Sequence, residues 1–88
     1  MNHIHLYAEK MANRDMMHDH LKEAFAFPQW YGRNLDALYD LLGEIGHPTT
    51  IRLHHSELLE GYGLRLLRVM AQAAADNKNV WFVPVYGQ

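Results

Sequence analysis

The chain has 88 residues, of which 49% are hydrophobic, 11% aromatic and 20% charged. This size and composition predict one soluble globular domain over residues 1–88 and exclude intrinsic disorder. The absence of cysteine excludes disulfides and thiolate metal sites, and the net charge of -2 argues against a protein that coats nucleic acid.

The N-terminal residues predict a strand and not a leader. His3 to Tyr7 alternates, with Ile4 and Leu6 on one face and the polar side chains on the other. We expect no targeting segment, and no apolar run reaches the length of a membrane helix. We therefore expect a cytoplasmic protein that does not associate with a membrane.

Two helices are predicted next. The first begins at Asn13 or Asp15, which can cap it, and runs to about Phe25, before Pro28 blocks further helix. Its apolar residues are Met16, Met17, Leu21, Ala24 and Phe25. The second helix spans about residues 34–42, and Gly43 is placed to end it in a left-handed conformation.

The second half of the chain predicts two more strands and two more helices. Residues 49–53 alternate and are rich in β-branched side chains, which favours a strand, and a brief helical turn follows over residues 56–59. The clearest helix runs from Leu64 to Asn77, with Leu66, Leu67, Met70, Ala73 and Ala74 on its apolar side. Residues 80–83 are continuously apolar, which predicts a strand that is central or covered on both faces.

The resulting order is β-α-α-β-α-α-β, the pattern of an α/β protein. Strands joined by helical crossovers generally run parallel, so we expect a three-stranded parallel sheet packed with helices. Because the first two strands alternate, one face of the sheet is expected to be only partly covered. This favours two layers over three.

The stretch from Phe27 to Gly43 holds the candidate functional residues. On a helical wheel Asp36 and Asp40 lie together, nearly opposite the leucines, and Tyr39 lies at the rim. Two like charges one turn apart disfavour the helix slightly, unless a cationic partner compensates them. Trp30 and Tyr31 in the preceding turn can add exposed ring faces. Spacing alone fits equally well with both rings in the core and an ordinary solvated acidic face.

The residues of this stretch resemble the core motif of the barstar-type ribonuclease inhibitors. The matching segment is FPQWYGRNLDALYDLL at residues 27–42. The last helix and strand resemble those of the family more weakly. The resemblance implies a two-layer barstar-like fold. It also implies a bacterial inhibitor, of the antitoxin or immunity type, that blocks the active site of a barnase-like ribonuclease by acidic substrate mimicry.

The family's binding face can be carried over residue by residue. The resemblance implies that Asp40 occupies the phosphate site of the enzyme, that Asp36 meets a second basic group and that Trp30 stacks on the partner. Close approach and further contacts would come from Tyr31, Gly32, Asn34 and Tyr39. No catalytic residue, metal or cofactor is implied.

Two residues depart from the family's pattern at the periphery of this face. Gln72 stands where the pattern places a further acidic residue, and Arg33 is spaced to screen Asp36. Because of these departures, the motif does not identify the target nuclease. The sequence also does not predict the oligomeric state. The alternative is a barstar-like module for another basic protein or for a toxin that is not a ribonuclease.

Other functions find less support in the sequence. His3 and His5 share a strand face, but no acidic or thiolate metal ligand is tied to them by spacing. His18 and His20 lie about 200° apart on a helix and cannot form a two-point site.

A small hydrolase using Asp36 and Asp40 lacks an accompanying motif. An RNA-binding module would need basic residues beside Trp30, where aspartates stand instead. The His54-His55 pair is expected to be polar loop surface.

Overall fold

The computed structural model describes residues 2–87, which form three strands, three α-helices and two 3-10 turns. In chain order the main elements are β1 (Asn2–Tyr7), α1 (Arg14–Phe25), α2 (Leu35–Gly43), β2 (Thr49–His54), α3 (Tyr62–Asp76) and β3 (Val80–Pro84). The 3-10 turns occupy Ala8–Lys10 and Ser56–Leu58. The predicted mixed α/β order is confirmed, except that the short helix expected after β2 is only a 3-10 turn.

The three strands form a parallel sheet in the order β1-β2-β3. Leu6 of β1 pairs in register with Leu53 of β2, and Ile51 of β2 pairs with Phe82 of β3. Leu6, Ile51 and Leu53 are fully buried, because they point to the face that the helices cover. The opposite face carries exposed side chains such as His3 and His5. The two-layer parallel architecture is therefore confirmed.

The predicted environment of the last strand is wrong. β3 pairs with β2 alone and is an edge strand, and β2 is the central one. Trp81 is 47% exposed and Val83 is 40% exposed on the open face of the sheet. The apolar run at residues 80–83 therefore reflects exposed apolar side chains on one face of an edge strand.

The core lies between the sheet and the three helices. Its fully or nearly fully buried helical side chains are Met17, Leu21, Leu38, Leu42, Leu66 and Met70. Each such side chain contributes about 1.5–3 kcal/mol by leaving water. Met16, predicted on the apolar side of α1, is 42% exposed, and His18 takes a buried position instead. None of the helices within residues 2–87 has the length and apolarity to cross a lipid bilayer.

The end of α2 also differs from its prediction. Gly43 is the last residue of the helix and has no positive φ, and the chain leaves through Glu44 in a right-handed conformation. The side-chain amide of Asn77 donates hydrogen bonds to the carbonyl oxygens of Leu42 and Ile45, at 2.9 and 3.0 Å. Because a distant side chain satisfies these carbonyls, no left-handed glycine is needed.

Candidate functional site

Helix α2 presents two exposed acidic side chains from a firmly packed base. Leu35, Leu38 and Leu42 are buried, whereas Asp36 and Asp40 are exposed one helical turn apart. The ion pairs of the described residues join Arg33 with Asp19 and His55 with Glu57, so they involve neither aspartate. The two carboxylates are thus held on a rigid helix and are free to meet a cationic partner.

The turn before α2 separates its two aromatic residues. Trp30 is 72% exposed, which is one of the two arrangements that spacing left open. Tyr31 is only 4% exposed, and its amide donates to the carbonyl oxygen of Pro28 at 3.0 Å, which closes the turn. Of the two arrangements that spacing left open for Tyr31, the structure has the buried one, with the ring packed inward against Phe27. Of the two rings in this turn, only that of Trp30 is exposed to a partner.

A buried hydrogen-bond network anchors this turn from inside. The Nδ1 atom of His18 lies 2.6 Å from the Tyr31 hydroxyl, and its Nε2 atom lies 2.9 Å from the Tyr62 hydroxyl. Burial raises the pKa of Tyr31 above its ordinary value. Burial, assisted by the nearby positive charges of Arg14 and Arg33, lowers the pKa of His18. The neutral imidazole therefore links α1, the turn and α3.

The role of His18 was not predicted from the sequence. Apolar periodicity does not place His18 in the core, because histidine is not counted among apolar residues. One signal was available: His18 shares a helical face with Leu21, three residues on, and that face enters the core.

Arg33 and Asn34 fix the junction between the turn and α2. Arg33 has a φ of 55°, and its guanidinium donates to the Asp19 carboxylate at 2.5 Å and to the Asp15 carbonyl at 3.2 Å. Its ion pair is therefore with Asp19 on α1, and the expectation that it screens Asp36 is not met. The Oδ1 atom of Asn34 accepts from the Ala37 amide at 2.7 Å, which caps α2.

Gly32 allows the turn to approach the first residues of α2. A Cβ atom at this position would lie 3.1 Å from the Cβ of Ala37. The carbonyl oxygen of Gly32 accepts from the Nδ2 atom of Asn34 at 3.2 Å. A larger residue at position 32 would push the turn away from the helix.

Helix α3 contributes an acidic residue that was not among the predicted site residues. Asp76 accepts a short hydrogen bond from the Tyr39 hydroxyl and two from the Gln72 amide, at 3.1 and 3.0 Å. The Tyr39 bond in particular lowers the pKa of Asp76, and the same bond raises the pKa of Tyr39. Gln72 therefore orients an acid one turn further along α3, and its i+4 spacing to Asp76 was the signal in the sequence.

A shallow groove of about 390 Å³ runs between α2 and α3 beside these residues. It is lined by Leu35, Asp36, Tyr39, Arg68, Val69 and Gln72. The structure thus brings Trp30, Asp36, Tyr39, Asp40 and Gln72 onto the surface of the turn and of the α2 and α3 helices. Tyr31 lies beneath that surface.

Five of the remaining histidines contact one another or neighbouring residues on and beside the sheet. His3 lies 2.9 Å from Arg52, and His5 lies 2.9 Å from His54, which belongs to β2 and not to a loop as expected. Only His55 follows the strand. Within residues 2–87, no group of three or more potential ligands is arranged to hold a metal ion.

Comparison with known proteins agrees with the fold and with the motif at residues 27–42. The family model described as "Barstar (barnase inhibitor)" matches residues 1–85. A protein of Bacillus subtilis (strain 168), named "Putative ribonuclease inhibitor YrdF", is 36% identical over 84 residues. That alignment covers 90% of this chain and 92% of the relative.

Proposed function

This chain belongs to the barstar family, and from that premise we propose that it binds a barnase-like ribonuclease and blocks the active site by mimicking RNA phosphates. A ribonuclease holds its substrate with cationic side chains, which would accept carboxylates in place of phosphate oxygens. The observation that carries the proposal is the pair of exposed, unpaired aspartates, Asp36 and Asp40, on a helix whose other face is buried.

The proposed roles follow from the family's motif and from the positions of the side chains. Asp40 takes the phosphate site, Asp36 meets a second basic group, and the exposed ring of Trp30 stacks against the enzyme. Tyr39 contributes at the rim, where its hydroxyl is already bonded to Asp76. Gly32 and Asn34 allow close approach.

Three proposed residues act indirectly. Tyr31 holds the turn from beneath, through its hydrogen bond with His18. Arg33 fastens the turn to α1, and Gln72 orients Asp76 at the periphery.

In this proposal the protein is not an enzyme and needs no cofactor. It acts by occupancy, as an antitoxin or immunity protein in a bacterium. The cytoplasm is where we expect it to act, because an active ribonuclease there would degrade the RNA of the cell.

The test is inhibition of purified ribonucleases. Barnase and other barnase-type enzymes are assayed on a fluorogenic RNA substrate with increasing amounts of this protein. We expect at least one enzyme to lose activity at a molar ratio near one to one, and co-expression to protect a host from the same enzyme. A lack of inhibition across the panel, or capture of a basic protein without nuclease activity, would contradict the proposal.

A further inference from the structure

A second groove, which is lined by two arginines, adjoins the acidic surface of α2. It has a volume of about 190 Å³ and lies where the first turns of α1, α2 and α3 meet. Its lining residues are Arg14, Asn34, Leu35, Asp36, Tyr62 and Arg65. Leu35 and Asp36 also line the groove between α2 and α3, which contains Arg68. Three of the five arginines of the chain therefore lie beside Asp36.

The arginines of this second groove are held in place. The guanidinium carbons of Arg14 and Arg65 lie over the ring of Tyr62, at 5.5 and 5.6 Å from its centroid. The hydroxyl of Tyr62 is in turn hydrogen-bonded to the buried His18. A guanidinium stacked on an aromatic ring keeps its N–H groups at the edge, available for a planar anion.

The helix dipole gives no reason for these two charges, which contact the ring of Tyr62 but form no ion pair within residues 2–87. Arg14 is the first residue of α1, and Arg65 lies in the first turn of α3, where the helix dipole disfavours cations. Neither forms an ion pair within residues 2–87, although Asp36 lines the same groove. Both side chains are exposed. Their placement therefore opposes helix stability, and no ion pair among the described residues compensates for it.

Binding of an enzyme would change the cost of these charges. Because both grooves share Asp36, an enzyme that covers this aspartate also removes water from Arg14 and Arg65. A desolvated charge without a partner of opposite sign is strongly unfavourable. A basic active site alone would leave both guanidinium groups uncompensated.

We infer that Arg14 and Arg65 form a binding site for a carboxylate side chain of the partner ribonuclease. This inference rests on the proposed function and makes it narrower. The partner carries an aspartate or glutamate next to its cationic cleft, on the side that faces the first turns of α1 and α3. Such a pair of opposite contacts would select among barnase-type enzymes, since an enzyme with a basic residue at that place would be repelled.

The experiment measures the dissociation constant of the inhibited ribonuclease for the wild type and for Arg14→Gln/Arg65→Gln and Arg14→Glu/Arg65→Glu. We expect the glutamine variant to bind about 10-fold more weakly and the glutamate variant at least 100-fold more weakly. Replacing the enzyme's carboxylate by lysine should restore tight binding to the glutamate variant. Lys78→Gln, an exposed change in the loop before β3, is the control for loss of positive charge.

The sign of the effect decides the inference. If the arginines instead face basic groups of the enzyme, their removal tightens binding. A lower or unchanged dissociation constant, in a variant that still inhibits the enzyme, overturns the inference. If no ribonuclease is inhibited by the wild type, the proposed function fails and the inference fails with it. Thermal unfolding of each variant shows whether it is folded, and a misfolded glutamate variant leaves the glutamine variant to decide.

RNA is the competing occupant of the two arginines. Binding of a fluorescein-labelled RNA oligonucleotide is measured without enzyme, for the wild type and for the glutamine variant. We expect neither to bind. Binding by the wild type that is lost in the variant would assign the arginines to phosphate and overturn the inference.

Discussion

At the scale of single residues, Asp40 is the side chain on which the proposed mimicry depends most. Its carboxylate is exposed and unpaired, so Asp40→Ala should leave the stability of the free protein nearly unchanged. In the complex the substitution would leave the enzyme's cationic groups buried without a partner, which costs about 3–5 kcal/mol. We therefore expect inhibition to weaken by about 100- to 4,000-fold, measured as an inhibition constant.

The matched control for this change is Glu23→Ala, which removes an exposed acid from α1. It should leave the inhibition constant within about 2-fold of the wild-type value, because surface charges far from a contact contribute little. An equal loss of inhibition in both variants would assign the effect to net charge and not to the site.

His18 predicts a pH dependence of stability. Its pKa is lowered in the folded protein from an ordinary value near 6.5, by burial first and by Arg14 and Arg33 second. Below pH 6.5 His18 therefore takes up a proton more readily in the unfolded chain than in the folded protein. Its contribution to the free energy of unfolding is complete above pH 6.5 and is lost as the pH falls below that value. We expect the free energy of unfolding in urea to decrease between pH 7.5 and pH 5.5.

Comparison of variants isolates this contribution. His18→Gln should flatten the pH dependence, whereas His47→Gln, at an exposed position, should not. His20, whose pKa is also lowered by burial, accounts for a remaining slope. Identical slopes for the wild type and His18→Gln would show that the imidazole does not resist protonation.

At the scale of elements, the caps of α1 and α2 offer a matched pair. The Oδ1 atoms of Asn13 and Asn34 each accept a backbone amide three residues on, at 2.9 and 2.7 Å. Loss of such a cap costs about 0.5–2 kcal/mol, so Asn13→Ala and Asn34→Ala should lower the free energy of unfolding by similar amounts. Only Asn34→Ala should also weaken inhibition, since its helix carries both aspartates.

Rescue separates the cap from direct contact with the enzyme. Asn34→Ser retains a side-chain oxygen for the cap, so it should recover stability and most of the inhibition if the cap is what matters. Recovery of stability without recovery of inhibition would instead make Asn34 a contact residue. Urea denaturation and the ribonuclease assay on the same preparations give both quantities.

The elements also show what the sequence can predict. Periodicity located all three strands and all three α-helices, because each main element has an alternating, helical or continuously apolar pattern of its own. It did not predict that β3 lies at an edge, since a continuous apolar run is the same whether its outer face is covered or open. It also could not predict that Asn77 closes α2, because that contact joins residues 35 positions apart.

The candidate site was predictable only in part, as the fold was. The exposed position of Asp36 and Asp40 follows from helical spacing within one element. The burial of Tyr31 and its bond to His18 depend on how α1 packs beside the turn, and no local pattern encodes that packing. The ion pair of Arg33 with Asp19 joins separate elements in the same way. The exposure of the α2 aspartates was therefore foreseen, whereas these side-chain contacts between elements were not.

At the scale of the whole molecule, the distribution of charge matters more than its sum. The net charge is only -2, yet helix α2 presents Asp36 and Asp40, and Arg14 and Arg65 line a groove beside Asp36. A molecule of this kind has little long-range attraction from its net charge, and orients a charged partner mainly at short range. Association should then respond to salt through the local acidic surface.

Inhibition should therefore depend on ionic strength. The Debye length is about 10 Å at 0.1 M salt and about 3 Å at 1 M, so the approach of a basic cleft to Asp36 and Asp40 is screened as salt increases. The association rate constant, measured by stopped-flow fluorescence, should fall with salt, and the dissociation rate should change less because desolvated pairs are poorly screened. In Asp36→Asn/Asp40→Asn most of this dependence should disappear. An association rate that is flat with salt in the wild type would mean that the acids do not attract the enzyme, and would remove the electrostatic basis of the proposed mimicry.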